Sequence, residues 1–184
     1  AMKYVPEPFD VKLKRFIEDH KISKDLAEAL LRSKYLALYE ELVNKFRDKV
    51  SPQLIASTLI NTIKALSSEG LDTSIIEEKD LVDIFTELAQ NRFSKELIPD
   101  ILREKIKDPE KSISDIISKL NIRVLSLEEL DLLIDKVISE NKEEIIKRGE
   151  KAFSFVMGKV MDQVRGRIDG KIVAERVRNK LKNL

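Results

Sequence analysis

Apolar residues recur three and four positions apart along almost the whole chain, and no stretch alternates apolar with polar as a half-buried strand must. That periodicity points to an all-α fold, because a period of 3.6 gathers apolar side chains on one side of a helix and scatters them over both faces of a strand. The clearest instance follows Ser51-Pro52, where Leu54, Ile55, Thr58, Leu59, Thr62, Ile63 and Leu66 share a face. Ser51 is suited to cap this helix, and Pro52 to its first turn, where the missing N–H would be unpaired anyway. Gly70 ends the run.

The same signals divide the rest of the chain. The opening Tyr4-Val-Pro-Glu-Pro-Phe-Asp10 carries two prolines and is expected to be extended. Asp10 is expected to cap a first helix bearing Leu13, Phe16 and Ile17, and Ser23 a second bearing Leu26, Ala27, Leu30 and Leu31. A third runs near 34–47, and others near 79–90 and 94–106, the latter with Pro99 inside it. Asp108-Pro109 is expected to open a short helix ending at Leu120. The segment Asn121-Ile-Arg-Val-Leu125 breaks the pattern, and Ser126-Leu-Glu-Glu129 then starts a new helix as a capping box. Two more helices are expected near 141–164, with Gly149 a candidate break, and 170–184. The expected architecture is therefore a larger N-terminal helical domain over 1–122 and a small three- or four-helix domain over 123–184, hinged near 121–125.

Several kinds of chemistry are excluded or disfavoured. Without cysteine there is no disulfide, no thiolate nucleophile and no cysteine-based zinc site. His20 is the one histidine, expected at a helix end as a surface or capping residue. The adjacent acids Glu77-Glu78, Glu128-Glu129 and Glu143-Glu144 point about 100° apart on a helix and cannot converge on one substrate. Gly166-Arg-Ile-Asp-Gly170-Lys171 is one residue short of nucleotide-binding spacing, and Ile172 stands where Ser or Thr would hold magnesium. No signal-peptide pattern opens the chain, and no apolar run approaches the roughly twenty residues that span a bilayer. Catalytic and metal-ligating residues are expected to be absent.

The net charge of +1 hides an asymmetry. From Gly149 onward nine Lys/Arg face four acids, leaving that end at +5 and the remainder at −4. A basic end on an otherwise acidic chain suits a polyanionic partner. Four of the five glycines also fall between 149 and 170. On a helical wheel Phe153, Val156, Met157, Val160 and Val164 share the apolar side, while Gly158 lies opposite, among Lys151, Ser154, Lys159, Asp162 and Arg165. Mid-helix glycine costs up to about 1 kcal/mol against alanine. Two explanations stand: it admits a sugar–phosphate backbone to a basic face, or it packs against another helix. Phe155 alone among the local aromatics projects toward the polar side, so contact with folded RNA by shape and phosphate fits better than base stacking.

Gly149-Glu-Lys-Ala-Phe-Ser-Phe-Val-Met-Gly-Lys-Val-Met161 and Arg165-Gly-Arg-Ile-Asp-Gly-Lys-Ile-Val173 closely resemble a tail found in the glutamyl-tRNA(Gln) amidotransferases. Their paralogous GatB and GatE subunits share that tail with free-standing YqeY-like proteins. Ile55-Ala-Ser-Thr-Leu-Ile-Asn-Thr-Ile-Lys-Ala-Leu66 and Ser94-Lys-Glu-Leu-Ile-Pro-Asp-Ile-Leu102 resemble the helical domain of GatB and GatE. The Arg-Gly-Arg-x-Asp-Gly-Lys loop and the Ile98-Pro99 pair are more like GatE. Pro6-Glu-Pro-Phe-Asp10 resembles the Pro-Glu-Pro-Asp element of GatB, with Phe9 as a departure.

The resemblance implies a cytoplasmic parent in translation, a carbon–nitrogen ligase that converts Glu-tRNA(Gln) to Gln-tRNA(Gln) with ammonia from a glutaminase partner. ATP and magnesium would act in a catalytic domain absent from this chain, which would itself carry no cofactor. The helical and YqeY-like tail domains would hold tRNA(Gln) near its elbow, with no DNA or membrane partner. Matching tail positions assign phosphate and ribose contacts to Lys151, Gly158, Lys159, Arg165, Arg167 and Lys171, and loop shaping to Gly166 and Gly170. The alternative is a protein-interaction module docking the other proteins of the amidotransferase.

Overall fold

Helix starts are set by short polar side chains and prolines, and a computed structural model describes them over residues 6–120 and 124–184. The opening residues 1–5 and positions 121–123 of the expected hinge lie outside the described residues. Helix α1 (Phe9–Glu18) begins one residue before the expected cap: Pro8 occupies the N-cap position and Asp10 lies inside the first turn. There its charge meets the positive end of the helix dipole instead of bonding a free N–H. Ser23 caps α2 (Lys24–Leu31) as expected, accepting from the Leu26 N–H at 3.3 Å. Helix α3 spans Leu36–Lys45.

Ser51 accepts from the Leu54 N–H at 3.2 Å and opens α4 (Pro52–Ser57), which runs through a π-helical turn, Thr58–Thr62, into α5 (Ile63–Ser68). The Thr58 hydroxyl donates to the Leu54 carbonyl at 2.8 Å at the start of this turn, four residues back along the helix. Helix α6 (Glu78–Ala89) has the Asp80 carboxylate accepting from the Glu77 N–H at 2.9 Å. A 3₁₀ turn, Lys95–Leu97, precedes α7 (Ile98–Lys107), which puts Pro99 in the first turn, where a proline displaces no helical hydrogen bond. Asp108-Pro109 does not open the next helix. Ser112 does, by accepting from the Asp115 N–H at 3.1 Å, and α8 spans Ile113–Lys119. The intervening turn is bound instead by the Lys105 ammonium, which donates to the carbonyls of Pro109 (2.8 Å) and Lys111 (2.6 Å).

Ser126 caps α9 (Leu127–Glu140), accepting from the Glu129 N–H at 3.1 Å. Helix α10 (Lys142–Arg148) stops at Gly149, whose φ of 56° breaks the helix at the candidate position. A single 3₁₀ turn, Gly149–Lys151, then leads into α11 (Ala152–Val164), and α12 (Gly170–Lys182) returns along it. The fold is all-α, with no strand among the described residues.

Two separate cores result. The first joins buried side chains from Phe16 to Ile117, with Tyr39, Phe85 and Phe93 at its centre. The second, from Leu125 to Val177, consists of aliphatic residues of α9–α12 and their approaches. His20, expected as a surface or capping residue, is only partly exposed. It is stacked on Phe16 (centroids 5.1 Å apart), with Nδ1 2.7 Å from the Tyr39 hydroxyl. The one buried ion pair, Asp80 with Lys105 at 3.4 Å, ties α6 to α7 among the described residues.

Candidate nucleic-acid interface

Helix α11 buries Ala152, Val156, Val160 and Val164 against α9 and α12. Phe153 and Met157, expected inside, are half-buried at the margin, and the Arg178 guanidinium lies 5.0 Å over the Phe153 ring. The far side of the helix exposes Gly158, Lys159 and Asp162, with Lys151 at its start and Arg165 at its end. At 1.5 Å per residue these two cations stand about 20 Å apart along the axis.

Gly158 has nothing within 4 Å of the position a Cβ would take. Among the described residues no neighbouring helix packs against it, and its face is exposed. Phe155 beside it is half-buried, with Arg148 at 4.4 Å and Lys159 at 5.3 Å from its centroid. Two cations at one ring hold positive charge at the surface.

Six of the tail's nine cations divide by their partners. Arg176 and Lys180 of α12 reach across to Asp131 (3.0 Å) and Asp135 (2.9 Å) of α9. Lys151, Lys159, Arg165 and Lys171 are exposed, and among the described residues no carboxylate lies within 4.0 Å of their charged nitrogens. An exposed cation with no acid partner gives up little when it meets a phosphate.

The loop from Arg165 to Gly170 turns on Gly166, whose φ is +78°. A Cβ at Gly166 would overlap the Leu97 side chain, with Leu97 Cγ 2.8 Å away. The same loop is bound along its length to the segment preceding α7. Ser94 donates its N–H to the Gly166 carbonyl at 2.6 Å and its hydroxyl to the Ile168 carbonyl at 3.1 Å. The Gly170 N–H donates to Glu96 Oε1 at 3.0 Å, and Lys95 pairs with Asp169 at 3.4 Å. Burial pushes the Asp169 carboxyl upward, but the Lys171 N–H it accepts and the Lys95 charge outweigh that and leave its pKa lowered. Arg167 is half-buried, and its carbonyl accepts from the Leu125 N–H at 2.8 Å.

The predicted residues therefore occupy three places. Lys151, Gly158, Lys159 and Arg165 run along α11. Lys171 stands on the first turn of α12. Arg167, Gly166 and Gly170 lie at the junction of the two cores. The sequence missed Arg148, which belongs to the Phe155 cluster though its guanidinium is also held by Glu144 at 2.6 Å. The seven-residue spacing from Arg148 to Phe155 was the available signal. It also missed Ser94 and Glu96, for which no local signal exists, since each has a partner 74 residues away. Among the described residues no group of acids and histidines could hold a metal ion, and no helix is long and apolar enough to cross a membrane.

Known proteins carry the same stretch of chain. The family model described as the GatB domain matches residues 37–181. A Saccharolobus solfataricus protein, named as the E subunit of glutamyl-tRNA(Gln) amidotransferase, is 44% identical over all 184 residues, which cover 29% of that relative. A Saccharolobus islandicus protein of the same name is 42% identical over the whole chain, again 29% of its length. One from Methanococcus maripaludis is 35% identical over 178 residues, 97% of this chain and 28% of the relative. The chain thus spans under a third of the length of the curated relatives it matches.

Proposed function

The chain belongs to the GatB domain family, and from that premise we propose that it is the non-catalytic, tRNA-binding C-terminal part of a glutamyl-tRNA(Gln) amidotransferase subunit of the GatE type. The parent would convert Glu-tRNA(Gln) to Gln-tRNA(Gln), working with a glutaminase partner. The units over 1–122 and 123–184 would together hold the tRNA near its elbow, in the cytoplasm. The observation that carries this reading is the open backbone at Gly158, on a face with Lys151, Lys159 and Arg165, for which no carboxylate lies within 4.0 Å among the described residues.

The chemistry follows from that arrangement. Lys151, Lys159, Arg165 and Lys171 supply point charges and N–H donors for phosphate oxygens, and Gly158 lets a sugar–phosphate backbone approach the helix more closely than any side chain would allow. Arg167, held at the junction, fits a ribose or phosphate contact at the edge of the same surface. Recognition by shape and phosphate suits folded RNA, whose deep major groove hides its bases. ATP and magnesium are assigned to a catalytic domain outside this chain. The loop at 166–171 does not fit a nucleotide, because Leu97 fills the space at Gly166 and Glu96 takes the Gly170 N–H.

Filter binding of tRNA(Gln) at several salt concentrations tests the proposal. Lys159→Glu, Arg165→Glu and Lys171→Glu together are expected to weaken binding on the order of 100-fold at low salt. Unchanged affinity would refute the site. Capture of the other amidotransferase proteins by a chain that fails to bind tRNA would favour the docking reading instead.

A further inference from the structure

We propose that Ser94, Glu96 and Leu97 are positioning residues: they latch the tail's loop, residues 165–170, to the edge of the first core and so hold the basic face at a fixed attitude for its polyanion. The proposal rests on the tRNA-binding reading above.

Three kinds of contact converge on six residues of loop. Leu97 occupies the space that a side chain at Gly166 would need, so shape as well as bonding fixes the loop. Ser94 commits both its backbone N–H and its hydroxyl to loop carbonyls, those of Gly166 and Ile168. Glu96 Oε1 accepts from the Gly170 N–H, and Oε2 lies against the Ser94 hydroxyl, whose single proton it shares with the Ile168 carbonyl. Glu96 thereby caps α12 from across the junction, while Asp169 caps it from within by accepting from the Lys171 N–H.

The placement of Glu96 gives the latch a distinctive signature. A carboxylate bound to the Gly170 N–H, next in the chain to Lys171, opposes a polyanion by simple Coulomb repulsion. Its effect on binding can be favourable only through geometry. The two ends of the loop carry Arg165 and Lys171, so a loop free to swing would spread those charges over many orientations. Ordering them on contact with the polyanion would then weaken binding.

The sign of one substitution separates the two roles. If Glu96 is only a nearby acid, Glu96→Gln removes a repulsive charge and tRNA binds more tightly. The latch predicts that Ser94→Ala with Glu96→Gln weakens binding about tenfold, despite the more positive surface. A second readout needs no RNA. The chain has no cysteine, so Ser68→Cys and Asn179→Cys, both at exposed positions, give one dye pair spanning the two cores. Single-molecule energy transfer is expected to be narrow in the parent and broad in the latch variant. Gly166→Ala, which changes no charge, is expected to broaden it too, and Leu97→Ala serves if the double variant fails to fold. An unchanged transfer distribution, or binding that stays equal or tightens, overturns the latch. If the unsubstituted chain binds no tRNA, the functional reading falls, and the transfer distribution alone decides whether the latch exists.

Discussion

His20 shows how much one neighbour decides. At a helix end the sequence offers it to solvent, but Tyr39 arrives from α3 and draws it in, with the Phe16 ring behind. Burial, with the Arg15 charge as a second cause, lowers its pKa below the ordinary 6.5. The folded chain therefore holds the neutral imidazole, and the unfolded chain binds the proton first as pH falls. Stability is full above about pH 6.5 and declines as pH drops from there through the lowered folded-state value. Thermal unfolding between pH 7.5 and 5 should show this loss, and His20→Gln should flatten it. An identical pH profile in the variant would place the titration elsewhere. Gly158 and Gly166 make the complementary point. The wheel alone put Gly158 on the polar side, because a helix fixes every direction from its own sequence. Nothing in the sequence near Gly166 announces Leu97, because that contact depends on how two cores meet.

Helices were legible to within a few residues wherever a serine cap and an apolar stripe coincided, as at Ser23, Ser51 and Ser126. Boundaries went astray where a tertiary group took over a local job. Asp108-Pro109 has the form of a helix start, yet Lys105 holds the turn's carbonyls and the helix waits for Ser112. The same ammonium lies 3.4 Å from Asp80, itself bound to the Glu77 N–H at the head of α6. One cation thus connects α6, the end of α7 and the turn before α8. Lys105→Met removes it and leaves Asp80 buried with its charge uncompensated, which for a buried pair costs roughly 3–5 kcal/mol. Chemical denaturation should report a loss of that size, and Asp80→Asn added to Lys105→Met should recover part of it. A loss below about 1 kcal/mol would mean that solvent reaches the pair and screens it.

Over the whole molecule, net charge is a poor guide to where a polyanion would lie. The tail's cations are divided by the acids of α9, which take Arg176 and Lys180 and leave the face along α11 to Lys151, Lys159 and Arg165. Composition could count these charges, and the family resemblance could nominate some of them. Only packing could tell which were already paired, because Asp131 and Asp135 are 45 residues away from their partners. Salt dependence makes the division measurable. Each phosphate contact contributes about 0.7–0.9 to the slope of log affinity against log salt, through the counterions it releases. Lys159→Ala should therefore lower the slope for tRNA by about that amount. Lys180→Ala removes the same formal charge, but from an ammonium 2.9 Å from Asp135, and should leave the slope where it was. Equal slopes for the two variants would mean that tRNA responds to the summed charge of the tail, and that the glycine-bearing face has no special part in holding it.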